Sequence, residues 1–336
     1  MKTWLWIVAL LVVPVSAHAT EWRAFAGVQS EDKGRQVLAF LPNEFWVHAG
    51  DHITWQFLTD EIHTVSFLTP GQIRPTYVAG CPGTVTTPDG SSFAGASCVN
   101  SGTLIAGQNY TVSFPAPGNY RLVCLVHANM TATIHVLSPS ETLPHDQAFY
   151  DREAEREAAQ LLADGARLQA RGTAAAMRGS DDEEDAQHDH GGAMSAVTAG
   201  ISEVVSTTGG GSHSVTVMRF MHETIVVHVG DTVEWTNFGP VVQHTVTFGS
   251  EPADPAPPSA GVIVDPDGAR HAFINSPNDN VHSGYLTPER QERPGLAQQP
   301  SAQIRFRATF TQPGTYNYIC TLHDELGMVG KVVVHP

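Results

Sequence analysis

The sequence predicts an all-β protein: two sandwich domains joined by a linker that is helical first and low in complexity afterwards. Three observations carry this reading. Short runs of alternating apolar and polar residues recur between Gly- and Pro-rich turns in two stretches, 25–137 and 212–335. The two stretches repeat one another block by block. The segment between them has a different composition and no alternation. A length of 336 residues suits two domains of about 100–200 residues each.

The elements follow in order. Met1-Lys2-Thr3 precedes an apolar run from Trp4 to Val15, which closes on Ser16-Ala17-His18-Ala19. One early positive charge, a short apolar core and a small-x-small end are the pattern of an export signal. Residues 1–19 are therefore expected to be cleaved after Ala19, placing the mature chain in the periplasm or outside the cell. No later run reaches the length of a membrane-spanning helix, so no span is expected after cleavage. In the first domain, 20–138, strands are expected at 36–40, 44–48, 52–57, 64–68, 110–114, 120–125 and 131–136. The linker, 139–211, opens with a Pro-free stretch rich in Ala, Glu, Gln, Leu and Arg, which predicts a helix over about 146–171. Its apolar residues (Phe149, Leu161, Leu162, Leu168) are sparse, as in a helix lying on a surface or spanning between domains. Residues of about 172–200 are acidic and low in complexity, which predicts a flexible tether. In the second domain, 212–336, strands are expected at 214–218, 224–228, 232–236, 245–248, 304–310, 316–320 and 330–334.

Composition narrows the function. Eighteen Lys and Arg stand against 34 Asp and Glu, a formal charge of −16. Nucleic-acid binding needs a basic footprint and is not expected. Seventeen His and seven Met beside only four Cys direct attention to metal chemistry.

The repeat locates that chemistry. Residues 47–57 answer 227–237, 63–67 answer 244–248, and 114–130 answer 310–328. Each copy ends on a Cys, two residues, a His, then a Met: Cys124, His127, Met130 and Cys320, His323, Met328. Each also carries an upstream His at the head of a strand, His63 and His244. One thiolate, two imidazoles and one thioether per domain suit a copper ion that changes valence, because a trigonal plane with a weak axial sulfur is tolerable to both states. Structural zinc sites usually take two or more Cys and seldom Met.

With Gly50, Asp51, Trp55 and Gly230, Asp231, Trp235, and with Pro117, Gly118, Tyr120 and Pro313, Gly314, Tyr316 ahead of the Cys, both copies resemble cupredoxins, the type 1 blue copper proteins. The second resembles plastocyanin and halocyanin in its ligand loop, and the first has the shorter amicyanin-like loop. The resemblance implies two Greek-key sandwiches and two coppers in all, one per domain. It implies an exposed downstream His as electron port in each, His127 and His323. It also implies a carrier of single electrons working between a donor and an acceptor protein.

Two other readings belong beside this one. A copper oxidoreductase built like nitrite reductase or a multicopper oxidase needs a further copper held by several His. Val123 and Ile319, rather than His, precede the two Cys, and the His-x-His at 188–190 lies in the tether. Copper delivery or storage is the third reading. Four Cys allow three pairings; with Cys124 and Cys320 on copper, Cys81 and Cys98 remain to form a disulfide.

Overall fold

The computed structural model describes residues 19–184, 192–206, 210–239, 241–287 and 303–336. Apart from Ala19, the expected export signal lies outside the described residues, as do residues 185–191 of the stretch at about 172–200 expected to be a tether. No helix among the described residues is long and apolar enough to cross a membrane.

The first domain runs β1 (Glu21–Gln29), β2 (Arg35–Leu41), β3 (Glu44–His48), β4 (His52–Phe57), β5 (Ser66–Phe67), β6 (Ser91–Ser92), β7 (Val99–Asn100), β8 (Asn109–Ser113), β9 (Gly118–Val123) and β10 (Thr131–Leu137). Helix α1 (Gln147–Glu184) follows. The second domain runs β11 (Met194–Ser206), β12 (Ser212–Met221), β13 (Thr224–His228), β14 (Thr232–Thr236), β15 (Thr247–Phe248) and β16 (Ile263–Val264). It continues with β17 (Arg270–Ile274), β18 (Val281–His282), β19 (Arg305–Phe310), β20 (Gly314–Ile319) and β21 (Val329–His335).

Alternation explains the sandwiches. On β4, Ile53, Trp55 and Phe57 are buried while their neighbours are half-exposed, so one pleat face supplies the core. β14 does the same with Val233 and Trp235. In each domain a five-stranded sheet covers that core: β3-β10-β9-β5-β7 in the first and β13-β21-β20-β15-β18 in the second. The other layers of the two domains fuse into one eleven-stranded sheet, because β2 pairs antiparallel with β12 (Leu38 opposite Ser214, Val37 opposite Val215).

Strand β2 shows why the seam lies there. Val37 to Leu41 is an unbroken apolar run, the pattern of a strand covered on both faces. Leu38 and Phe40 join the sandwich core. Val37, Ala39 and Leu41 face the other way, onto Ala154 and Leu161 of α1 and Val215 of β12. Further along, Leu168 of α1 packs with Val217 and Met221 of β12. The helix is thus a strap over the seam. Its start is set by Asp146, whose Oδ1 accepts the Phe149 N–H at 2.9 Å. Tyr150 stacks on Phe45 with centroids 3.7 Å apart and donates its hydroxyl to the Trp46 carbonyl.

Two expectations are corrected. The helix runs to Glu184 rather than ending near residue 171, and β11 already belongs to the second sandwich, pairing with β12 and β14. Ordered structure therefore takes most of the stretch read as a tether, and the second domain begins at Met194 rather than at 212. The small residues of 194–206 weaken the apolar signal, since Val197, Ala199 and Gly200 hold buried positions there. Cys81 and Cys98 are disulfide-bonded, while Cys124 and Cys320 are free and buried.

Truncating the strap at Leu161→Ala should cost about 2–5 kcal/mol, the range for a buried Leu, read as a lower denaturant midpoint. Burial on α1 raises Glu157 to about 7, with Arg156 opposing. A carboxyl raised on folding contributes most below its unfolded value and loses that contribution as pH climbs through the folded one. Glu157→Gln should therefore raise the melting temperature above about pH 7 and leave it nearly unchanged below about pH 4.5.

Candidate metal centres

Each centre is assembled by three segments. In the first domain, Cys124 follows β9, and the turn before β10 carries His127 and Met130. Backbone bonds close that turn: Cys124 N–H to Met130 O at 3.0 Å and Met130 N–H to His127 O at 3.2 Å. His63 comes from the segment after β4 and is tied to Leu104 by a two-bond bridge. The second domain repeats this with His244 against Leu286, and with Cys320 N–H donating to Met328 O at 3.0 Å. Its two extra loop residues are absorbed by a single 3-10 turn, Asp324–Leu326, ended by Gly327 at φ 88°. That left-handed position favours glycine.

The donor atoms converge. His63 Nδ1 and His127 Nδ1 are 3.0 Å apart, and Cys124 Sγ lies 3.9 and 3.8 Å from them. In the second centre the Nδ1 atoms of His244 and His323 are 3.2 Å apart, with Cys320 Sγ at 3.8 and 3.3 Å. Such triangles suit one ion held by nitrogen and sulfur at about 2.0–2.3 Å. Met130 and Met328 are fully buried. One backbone N–H reaches each sulfur, from Thr64 at 3.4 Å and Thr245 at 3.3 Å. Burial pushes the Cys124 thiol up, but the bonds from His127 and His63 outweigh it and hold it well below its ordinary value. A buried thiolate between two imidazoles is costly without a cation, and the donor set fits copper.

The far side of each upstream ring is fixed by shape. His63 Nε2 and His244 Nε2 are buried without a hydrogen-bond partner. A glycine lies against each: a Cβ on Gly27 would come 2.7 Å from His63 Nε2, and one on Gly200 would come 2.2 Å from His244 Nε2. Both glycines sit at positive φ, where the pairing of β1 and of β11 shifts register. The matching Ala26-Gly27-Val28 and Ala199-Gly200-Ile201 are a further repeat block, missed in the sequence because the second lies in the presumed tether. Two arginines pin the ligand loops. Arg74 donates to the carbonyls of His127 and Ala128, and Arg219 donates to Leu326 O and, across the seam, to Asp32 O. Arg219, a lone cation among Met218, Phe220 and Met221, was the signal that could have found the second.

Six of the eight predicted ligand residues are thus drawn into two separate groups, and Met130 and Met328 are buried in the same loops. The exposure expected of the downstream His does not hold: His127 is 3% and His323 4% exposed. The seam turns the two ligand ends toward each other, and both rings line one cleft of about 580 Å³ between the domains. There His127 Nε2 stands 3.2 Å from Glu61 Oε1, and His323 Nε2 stands 3.6 Å from Glu61 Oε2. Burial raises the Glu61 carboxyl, but His323 and His127 override it and hold it at about 2. Sequence reading passed over Glu61, whose counterpart two residues before His244 is Val242.

The family model for copper binding proteins of the plastocyanin/azurin family matches residues 26–137 and 206–335. The chain belongs to this family. A plastocyanin of Synechococcus sp. (strain JA-2-3B'a(2-13)) is 27% identical over 112 residues, 33% of this chain and 60% of that protein. The chloroplastic plastocyanin of Tetradesmus obliquus is 28% identical over 115 residues, 34% of this chain and 57% of its own length. Among solved structures, a fern plastocyanin is 22% identical with a TM-score of 0.22, covering 42% of this chain and 100% of its own. A mutant amicyanin in the Cu(I) form is 23% identical with a TM-score of 0.23, covering 45% and 88%. The chain is a tandem cupredoxin with one type 1 copper set in each domain.

Gly200→Ala should drive a methyl group into His244 and lower copper retention in the second centre alone. Metal analysis after dialysis should fall toward one copper per chain, with the first centre intact.

Proposed function

We propose that this tandem cupredoxin is an exported carrier of single electrons, working between a donor and an acceptor protein. The observation that carries the proposal is the pair of buried Cys–His–His triangles, each with a buried Met in its ligand loop. Copper held there supplies a one-electron couple. The chain's own residues keep the donors fixed through that change: backbone bonds close each ligand loop, Arg74 and Arg219 hold its carbonyls, and Gly27 and Gly200 leave the upstream ring no room to turn. Donors so deeply buried suit repeated passage of electrons better than release of ions, which disfavours delivery or storage. His127 and His323 are the electron ports in this reading, reached through the cleft rather than on an open face. Glu251, Asp324 and Glu325 line the cleft with Val126 and Leu322, a setting suited to a partner with basic and apolar groups. Export is supported by the pattern of residues 1–19.

The test is to load the purified chain with Cu²⁺ and record visible and EPR spectra. An intense thiolate-to-copper band is expected. Cys124→Ser and Cys320→Ser should each remove one centre's share of it. A colourless product, or loss of both centres with one substitution, overturns the reading.

A further inference from the structure

Glu61 stands where the ligand loops of the two domains meet. It comes from the first domain, two residues ahead of His63, and is held by its own backbone N–H, which donates to Thr59 Oγ1 at 3.1 Å. The Thr59 hydroxyl donates in turn to Gln36 Oε1 on β2, the strand that forms the seam. The internal repeat breaks here, since the second domain has the buried, apolar Val242. The break places a 6% exposed carboxylate in a cleft also lined by Val126, Val241 and Val242. Such burial is unfavourable unless the charge is partnered. Its two oxygens are divided between two rings of different domains, Oε1 to His127 Nε2 and Oε2 to His323 Nε2.

We propose that Glu61 joins the two centres into one path, His127–Glu61–His323, along which an electron passes between domains within a single chain. This rests on the reading of both centres as one-electron sites. Each ring turns Nδ1 to its own donor triangle and Nε2 to the shared carboxylate. A ring that ligates through Nδ1 keeps its proton on Nε2, so each ring presents an N–H to an oxygen of Glu61. Electron tunnelling weakens steeply across empty gaps, and here one carboxylate fills the gap between the rings, within hydrogen-bond distance of His127 at 3.2 Å and in a looser ion-pair contact with His323 at 3.6 Å. The exchange balances without further reagents: one electron leaves the reduced centre and arrives at the oxidised one, both Nε2 protons stay in place, and no bond between heavy atoms changes. The same fixed negative charge lies against both rings, so it favours the more positive state of each centre.

The test uses the full copper-loaded chain and the variants Glu61→Leu and Glu61→Gln, each centre's EPR spectrum being assigned from the single-cysteine variants. A flash delivers less than one electron per chain, and freeze-quenched samples follow its redistribution. The wild type should redistribute at a rate independent of protein concentration. Glu61→Leu should slow this by about tenfold or more, the change that about 1.4 kcal/mol on a barrier gives. An unchanged rate in Glu61→Leu, or a wild-type rate that scales with concentration, overturns the proposal. Pulsed EPR between the two oxidised centres reports whether the variant has parted the domains. If Glu61→Leu parts them, Glu61→Gln decides: the reduction potentials of both centres should rise on loss of the shared charge, and potentials that both stay in place overturn the proposal. Absence of the thiolate band from the wild type is a different result, which removes the electron-carrier reading itself.

Discussion

The pairing of β2 with β12 is the constraint on which the arrangement depends. Four backbone registers, Leu38–Ser214 to Arg35–Val217, fuse two sheets that would otherwise be separate. Side chains above and below reinforce them: Leu38, Phe40, Met218 and Phe220 in the common core, and Val37, Ala39, Val215 and Val217 under α1. Because hydrogen bonds across a sheet fix direction as well as distance, the seam determines how the ligand-bearing ends are aimed. Without it, His127 and His323 would each look into solvent, and Glu61 would have one ring to meet instead of two.

Within each domain the governing problem is a cysteine sulfur with no exposed surface. Thr64 and Thr245 offer one backbone N–H apiece, and the paired imidazoles provide the rest of the polar surroundings. Opposite each upstream ring the chain uses bare backbone, Gly27 or Gly200, so contact rather than hydrogen bonding orients the imidazole. Rigidity comes from the sandwich, and the loops add only the last few atoms. This division lets a C-x2-H-x2-M loop and a C-x2-H-x4-M loop build nearly the same triangle, the longer one spending its extra residues on the turn capped by Gly327.

Much of this was legible in the sequence. The ligand residues are, because metal chemistry demands particular side chains at particular spacings, and the repeat of Cys124, His127, Met130 in Cys320, His323, Met328 doubles the signal. The strands with clear alternation, such as 52–57 and 232–236, are as well. Strand β11 was hidden by its small residues, since Val197 and Ala199 carry little hydrophobic weight although they are buried. Helix α1 was cut short because its acidic end resembles a solvated tether. The relation between the domains was not legible, for it depends on hydrogen bonds that are alike in every residue. One hint existed: Val37 to Leu41 is apolar without alternation, which calls for cover on two faces. Glu61 could be noticed only by asking why a valine position in one copy holds a carboxylate in the other.

The shared sheet has a bearing on how the halves would fare apart. In the fused order, β2 and β12 are each the outermost member of their own domain's layer. Parted, each would present a bare row of N–H and C=O groups along an apolar margin, the kind of surface that invites self-association. A half-chain severed in the linker is thus a template for stacking with its own kind, and the tandem replaces two hazardous margins with one seam.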